Sequence, residues 1–155
     1  MEETLMLRAL RRLMRVPGHN LLFRWGLAFA APYSATIRPR LIHAAPGHLE
    51  LGMRKRRALT NHLRTLHAAA LANLMELCGS LAVQLAIPPT ARWIPAGLDI
   101  RYVRKGRTDV RAVCSFTPPD WRQDQDWPVK IQVLDATDVL IAEAILHMRI
   151  GPRPA

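Results

Sequence analysis

The chain has 155 residues, half of them hydrophobic, and 22 lysines and arginines against 12 acids, for a net charge of +10. That is long enough for one domain with a proper core and too apolar for a disordered chain. No apolar run reaches the roughly 18 residues that a membrane-spanning helix needs.

Residues 1–57 hold eleven lysines and arginines against Glu2, Glu3 and Glu50. Such a balance suits nucleic acid, an anionic membrane surface or a phosphorylated small molecule, and it also arises as background composition. No nucleic-acid motif or interleaved aromatic pattern accompanies it, so a nucleic-acid partner is not expected. Cys78 and Cys114 sit inside apolar patterns and read as small core residues. There is no CxxC and no HExxH, and the six histidines show no ligand spacing. No metal or cofactor is expected.

Residues 4–15 read as a helix, with Leu5, Met6, Leu10, Leu13 and Met14 opposite Arg8, Arg11, Arg12 and Arg15. Val16-Pro17-Gly18 ends it, and His19 to Ala31 reads as a second helix closed by Pro32. This basic helical hairpin either packs on the domain or forms a membrane-surface segment or lid. A signal peptide is not the preferred reading, because Arg24 interrupts the only apolar stretch that would serve, and the expected location is cytoplasmic.

Tyr33 to His43 reads as a strand, with Pro39 marking an edge or bulge. After the Pro46-Gly47 turn, His48 to Arg54 alternates cleanly, and the two strands form a hairpin. Arg54-Lys55-Arg56-Arg57 follows, a solvated loop or an anion-binding patch.

The stretch Thr60–Ala86 opens as a polar turn and becomes the longest apolar helix, with Thr65 as a plausible N-cap and Pro88-Pro89 as its stop. Asn73, Glu76, Ser80 and Gln84 share one stripe, either a narrow solvated face or one face of a site. A carboxylate on so apolar a helix is costly unless wet, paired or functional.

A loop is expected over Pro88–Pro95, then strands over Gly97–Val103 and Thr108–Thr117, with Lys105-Gly106 fitting a short hairpin turn between them. Pro118 to Pro128 reads as a polar loop. Val129–Leu134 and Val139–Ile150 form the last pair of strands, joined by Asp135-Ala136-Thr137-Asp138, and Gly151–Ala155 is a short tail. The expected organisation is an N-terminal helical extension over 1–31, one domain over 32–150 and a tail over 151–155. A helix apolar all round needs apolar neighbours on every side, which a curled antiparallel sheet supplies.

A strand hairpin, then Asn61 and His67 opening a long apolar helix, Glu76 nine residues after the His, then four strands: this order resembles the hotdog-fold thioesterase superfamily. It is most similar to the branch related to phenylacetate-pathway and 4-hydroxybenzoyl-CoA thioesterases. Within that branch it looks like an uncharacterised thioesterase-like family in which Pro-Tyr, here Pro32-Tyr33, leads the first strand and a basic run precedes the Asn.

The resemblance implies an α+β hotdog fold, a six-stranded antiparallel sheet wrapped around a long central helix, assembled as a homodimer or a dimer of dimers. The implied chemistry is hydrolysis of an acyl thioester, with acyl-CoA or acyl carrier protein as partner. Glu76 would be nucleophile or general base. Asn61 would orient water or thioester, and the Ala68 amide beside His67 would polarise the carbonyl. Where the family often has His-Gly-Gly, this chain has His67-Ala68-Ala69, so a non-catalytic acyl-CoA or lipid-binding protein is the alternative. Arg54, Arg56 and Arg57, or Arg104 and Lys105 with Arg101 and Arg107, would meet the phosphates or the acidic carrier.

The helix geometry bears on this independently. Nine residues at roughly 100° each put His67 and Glu76 on opposite sides of one helix, about 13.5 Å apart along it. They cannot easily share a site within one subunit, but they can across a two-fold axis.

Overall fold

The computed structural model describes residues 4–153. Residues 1–3 of the expected N-terminal extension and 154–155 of the expected tail lie outside the described residues. Helix α1 spans Leu5–Leu13 and α2 spans His19–Ala30. Thr4 caps α1: its hydroxyl accepts from the Leu7 amide and donates to the Leu85 carbonyl at 2.7 Å. Leu7 and Phe23 are buried and seat the two helices on the domain, so the packed reading of the hairpin holds.

The expected strand over Tyr33–His43 is only partly strand. Pro32–Ala35 forms a short helix, α3, and β1 runs over Arg40–Ala45. Proline at the first helical position presets its φ, and Arg38 sits at φ 54 before the chain turns extended. Then come β2 over His48–Met53, α4 over Ala68–Ala86, β3 over Ala91–Tyr102, β4 over Val110–Ser115, β5 over Gln125–Asp135 and β6 over Leu140–Pro152.

All neighbouring strands are antiparallel, in the order β1-β2-β4-β5-β6-β3, and the sheet packs around α4 as the hotdog reading expects. The expected hairpin turn at Lys105-Gly106 is overturned. β3 pairs with β6 at one edge, while β4 lies between β2 and β5, so residues 103–109 cross the sheet. Leu98 and Ile100 face Leu146 and Ala144 in that register, a non-local pairing that turn composition does not encode. β3 also begins earlier than expected and includes Trp93 and Pro95. An edge strand tolerates a proline, and the register shifts between Pro95 and Gly97. β5 likewise begins at Gln125, inside the expected loop, and β6 runs two residues into the expected tail.

By length and composition α4 could cross a membrane, against the sequence reading. Twelve of its 19 residues are buried, and Leu74, Met75, Cys78 and Val83 are fully enclosed with Leu49, Leu51, Ala112, Ile131 and Leu146 of the sheet. It is therefore the core helix of this fold, each large side chain contributing about 1.5–3 kcal/mol by burial. At Gly79 helix and sheet lie close together: a Cβ there would lie 2.7 Å from Leu146 Cδ2 and 3.0 Å from Ile131 Cδ1.

The two sheet edges differ. On β1, Asn20 Oδ1 accepts from the Leu41 amide at 2.6 Å, and His19 Nε2 lies 3.3 Å from the Leu41 carbonyl. On β3, the edge away from β6 carries no neighbouring strand among the described residues.

Candidate active site

The polar turn before α4 is built by Asn61. Its Oδ1 accepts from the amides of Leu63 at 3.0 Å and Thr65 at 3.2 Å, and its Nδ2 donates to Thr65 Oγ1 at 3.0 Å. This is an Asx-type turn, which the short carboxamide favours. These bonds hold the Asn61 side chain within the turn. Two more bonds fix the turn: Leu66 N–H to the Gly106 carbonyl and His67 N–H to the Leu59 carbonyl, both 2.8 Å.

The helix cap is His67 and not Thr65. Thr65 is buried and bonded to Asn61, whereas His67 Nδ1 accepts from the Ala69 amide at 3.0 Å. A backbone donor at Nδ1 places the proton of the neutral ring on Nε2. The Ala70 and Leu71 amides donate to the His67 carbonyl. Ala68 keeps the first-turn amide that an α-helix leaves without an intrahelical acceptor, at an exposed position and at the positive end of the dipole. Tyr102, at the end of β3, donates its hydroxyl to the Ala68 carbonyl at 3.1 Å. Burial holds that phenol above its usual pKa.

Glu76 is partly buried. Its Oε1 accepts from Ser80 Oγ at 2.9 Å, one turn further along α4. Eight positions separate it from Ala68, about 12 Å along the axis, so neither Asn61 nor His67 meets Glu76 within one chain. The rest of the polar stripe is divided. Gln84 accepts from Trp93 Nε1 at 2.9 Å. Asn73 is buried with no partner for its Oδ1, beside His67, Tyr33 and Thr36 in a cleft of about 200 Å³.

The basic run is split as well. Lys55, Arg56 and Arg57 line an open cleft of about 730 Å³ with Thr60, Asn61 and Arg64, and no acid among the described residues lines it. Arg56 Nη2 donates to the Thr36 carbonyl at 2.6 Å, while its Nε is buried without a partner. Burial first, and then the charge of Arg38, pull its pKa below the ordinary guanidinium value. Arg54 instead lines a hollow on β2 and β4 with Asp109 and Asp138. Arg104 and Lys105 are exposed in the crossover, which reaches the Asn61–His67 turn through Gly106. Arg101 is paired with Glu143 at 2.7 Å.

Sequence reasoning had missed Arg64 and Tyr102. Arg64 reaches the cleft through a left-handed backbone, φ 57, which an arginine does not advertise. Tyr102 touches α4 only through tertiary structure.

Both cysteines are free thiols buried in the core. Burial pushes the Cys114 thiol up to about 12 and that of Cys78 well above its ordinary value.

A family model described as "Domain of unknown function (DUF4442)" matches residues 19–150. No curated protein matches the sequence. A structural-genomics crystal structure is similar over 97% of this chain and 100% of its own, at 30% identity and a TM-score of 0.84. A thioesterase from Haemophilus influenzae covers 77% of this chain and 82% of its own at 16% identity and TM-score 0.68. A thioesterase family protein from Silicibacter pomeroyi covers 86% and 99% at 15% identity and TM-score 0.70.

Proposed function

The chain belongs to the DUF4442 family and carries the hotdog fold of thioesterase-like proteins, and on that premise we propose that it hydrolyses acyl thioesters, with acyl-CoA as substrate. The observation that carries this reading is Glu76: a partly buried carboxylate on the core helix, oriented by Ser80, on a helix whose N-terminus offers the Ala68 amide.

In the reaction, Glu76 removes a proton from water as the oxygen attacks the thioester carbonyl. The Ala68 amide receives the developing oxyanion. The carbon–sulfur bond then breaks, and the proton returns to the thiolate. The 12 Å between the two groups along one helix favours a homodimer in which Glu76 works with Ala68 of the partner subunit. Because Asn20 and His19 cover the β1 edge, the open β3 edge supports joining two sheets there.

The cleft of Lys55, Arg56, Arg57 and Arg64, lined by no acid among the described residues, suits the phosphates of CoA, with the exposed Arg104 and Lys105 of the crossover as further candidates; acidic carrier protein is the competing donor. The exposed Leu21, Trp25 and Phe29 of α2, together with the exposed arginines of α1, support contact with an anionic membrane surface.

The test is thiol release from acetyl-, octanoyl-, hexadecanoyl- and benzoyl-CoA by wild type and Glu76→Gln. Release that vanishes in the variant, with melting unchanged, supports the reading. Release retained by the variant removes Glu76 from the mechanism. No release from any substrate, with saturable binding, returns the non-catalytic acyl-CoA-binding alternative. Light scattering on the same sample reads the subunit count.

A further inference from the structure

We infer that the groove between α1, α2 and the second half of α4 is the site for a straight, medium-to-long acyl chain, an assignment that rests on the thioesterase reading above. The groove encloses about 530 Å³, within the roughly 300–1,000 Å³ usual for small-molecule sites. Its walls include Leu10 of α1, Leu22 and Gly26 of α2, Leu81 of α4 and Trp93 of β3, and no charged side chain among the described residues lines it.

Its two polar side chains are already engaged. Ser80 donates to Glu76, and Gln84 accepts from Trp93. What the groove offers an occupant is therefore apolar contact.

Position selects the occupant. Ser80 belongs both to the groove wall and to the hydrogen bond that holds Glu76. The cavity thus begins one side chain from the proposed base and continues away from the N-terminus of α4. From Leu77 to Gln84 it follows α4 for about 10 Å, suited to a chain of octanoyl length or more and far larger than acetyl. The basic cleft lies at the opposite, N-terminal end of the helix. In the composite site proposed above the carbonyl sits between Glu76 and Ala68 of the partner subunit, so the polar head lies toward that subunit's basic cleft and the apolar tail follows α4 past Ser80.

Gly26 permits a clean test. It lines the groove, and a Cβ built there meets nothing within 4 Å, so Gly26→Phe fills the groove without entering the packed core. A side chain in place of glycine also favours the helix. Hydrolysis and thermal stabilisation are measured with acetyl-, octanoyl-, hexadecanoyl- and benzoyl-CoA on wild type and Gly26→Phe, both checked for intact melting.

Expected are a wild-type gain of about fourfold per methylene until the groove is full, and a fall of about tenfold or more in the octanoyl-to-acetyl ratio in Gly26→Phe. An unchanged ratio overturns the groove assignment while leaving the thioesterase reading intact. If nothing is hydrolysed but octanoyl-CoA stabilises wild type and not Gly26→Phe, the groove stands and the hydrolase reading falls. If no acyl-CoA is hydrolysed or bound, both fall.

Discussion

Ser80 donates its hydroxyl to Glu76 Oε1 at 2.9 Å across one turn of α4. That bond orients the carboxylate within the polar stripe of an otherwise apolar helix. Ser80→Ala is expected to lower kcat about tenfold with KM little altered, and Ser80→Thr to restore most of it. Glu76→Gln is expected to cost about 10²–10⁴ in kcat, the range of a lost general base. Steady-state kinetics on the four proteins separates positioning from proton transfer.

The cleft at the other end of the helix holds Lys55, Arg56, Arg57 and Arg64 without an acid. Arg57→Ala combined with Arg64→Ala is expected to raise KM for acyl-CoA about tenfold, as exposed charge-assisted contacts to phosphate are lost. The salt dependence of KM should flatten in the same variant. An unchanged KM from low to high salt in both proteins would place the nucleotide elsewhere.

Gly79 sets how closely α4 lies on β5 and β6. The Leu146 and Ile131 methyls that a Cβ would strike are themselves fully buried. Gly79→Val is expected to destabilise the fold by about 1–3 kcal/mol, the usual cost of overpacking, and this outweighs the gain from removing a helical glycine. Urea unfolding measures it.

Asp135 closes the β5–β6 turn, its Oδ1 accepting from the Thr137 hydroxyl and from the Thr137 and Val139 amides. The Thr137 side chain first, then those amides, hold its pKa below the ordinary carboxylate value. A depressed folded pKa contributes stability that is fully present above the unfolded value, about 3.9, and is lost as pH falls through the folded one. Asp135→Asn is therefore expected to be less stable than wild type at neutral pH, with the gap closing below about pH 4. Thermal melts across that range check it.

Much of this was legible in the chain. The final strand is an example: Ala142, Ala144, Leu146, Met148 and Ile150 alternate in sequence, and all are buried on one face. The extent of α4 past its first turn followed from its alanines, its leucines and the two prolines that stop it. Glu76 stood out as a carboxylate on an apolar helix, while Asn61 and His67 were singled out by the resemblance to hotdog thioesterases and not by any periodicity of their own.

The misreadings have physical causes. Thr65 looked like the cap, but Asn61 claimed its hydroxyl first. Lys105-Gly106 looked like a hairpin turn, because local composition cannot report that β3 pairs with β6, more than forty residues further on.

The sequence by itself determined a sheet wrapped on one apolar helix, a carboxylate on that helix and a basic stretch before it, since periodicity, capping and charge act over a few residues. Only the tertiary structure decided which sheet edge stays open, which arginines share a cleft, and that α1 and α2 wall an apolar groove beginning beside Glu76. Those arrangements depend on contacts between residues far apart in the chain, whose energies come from burial and pairing and leave no local pattern.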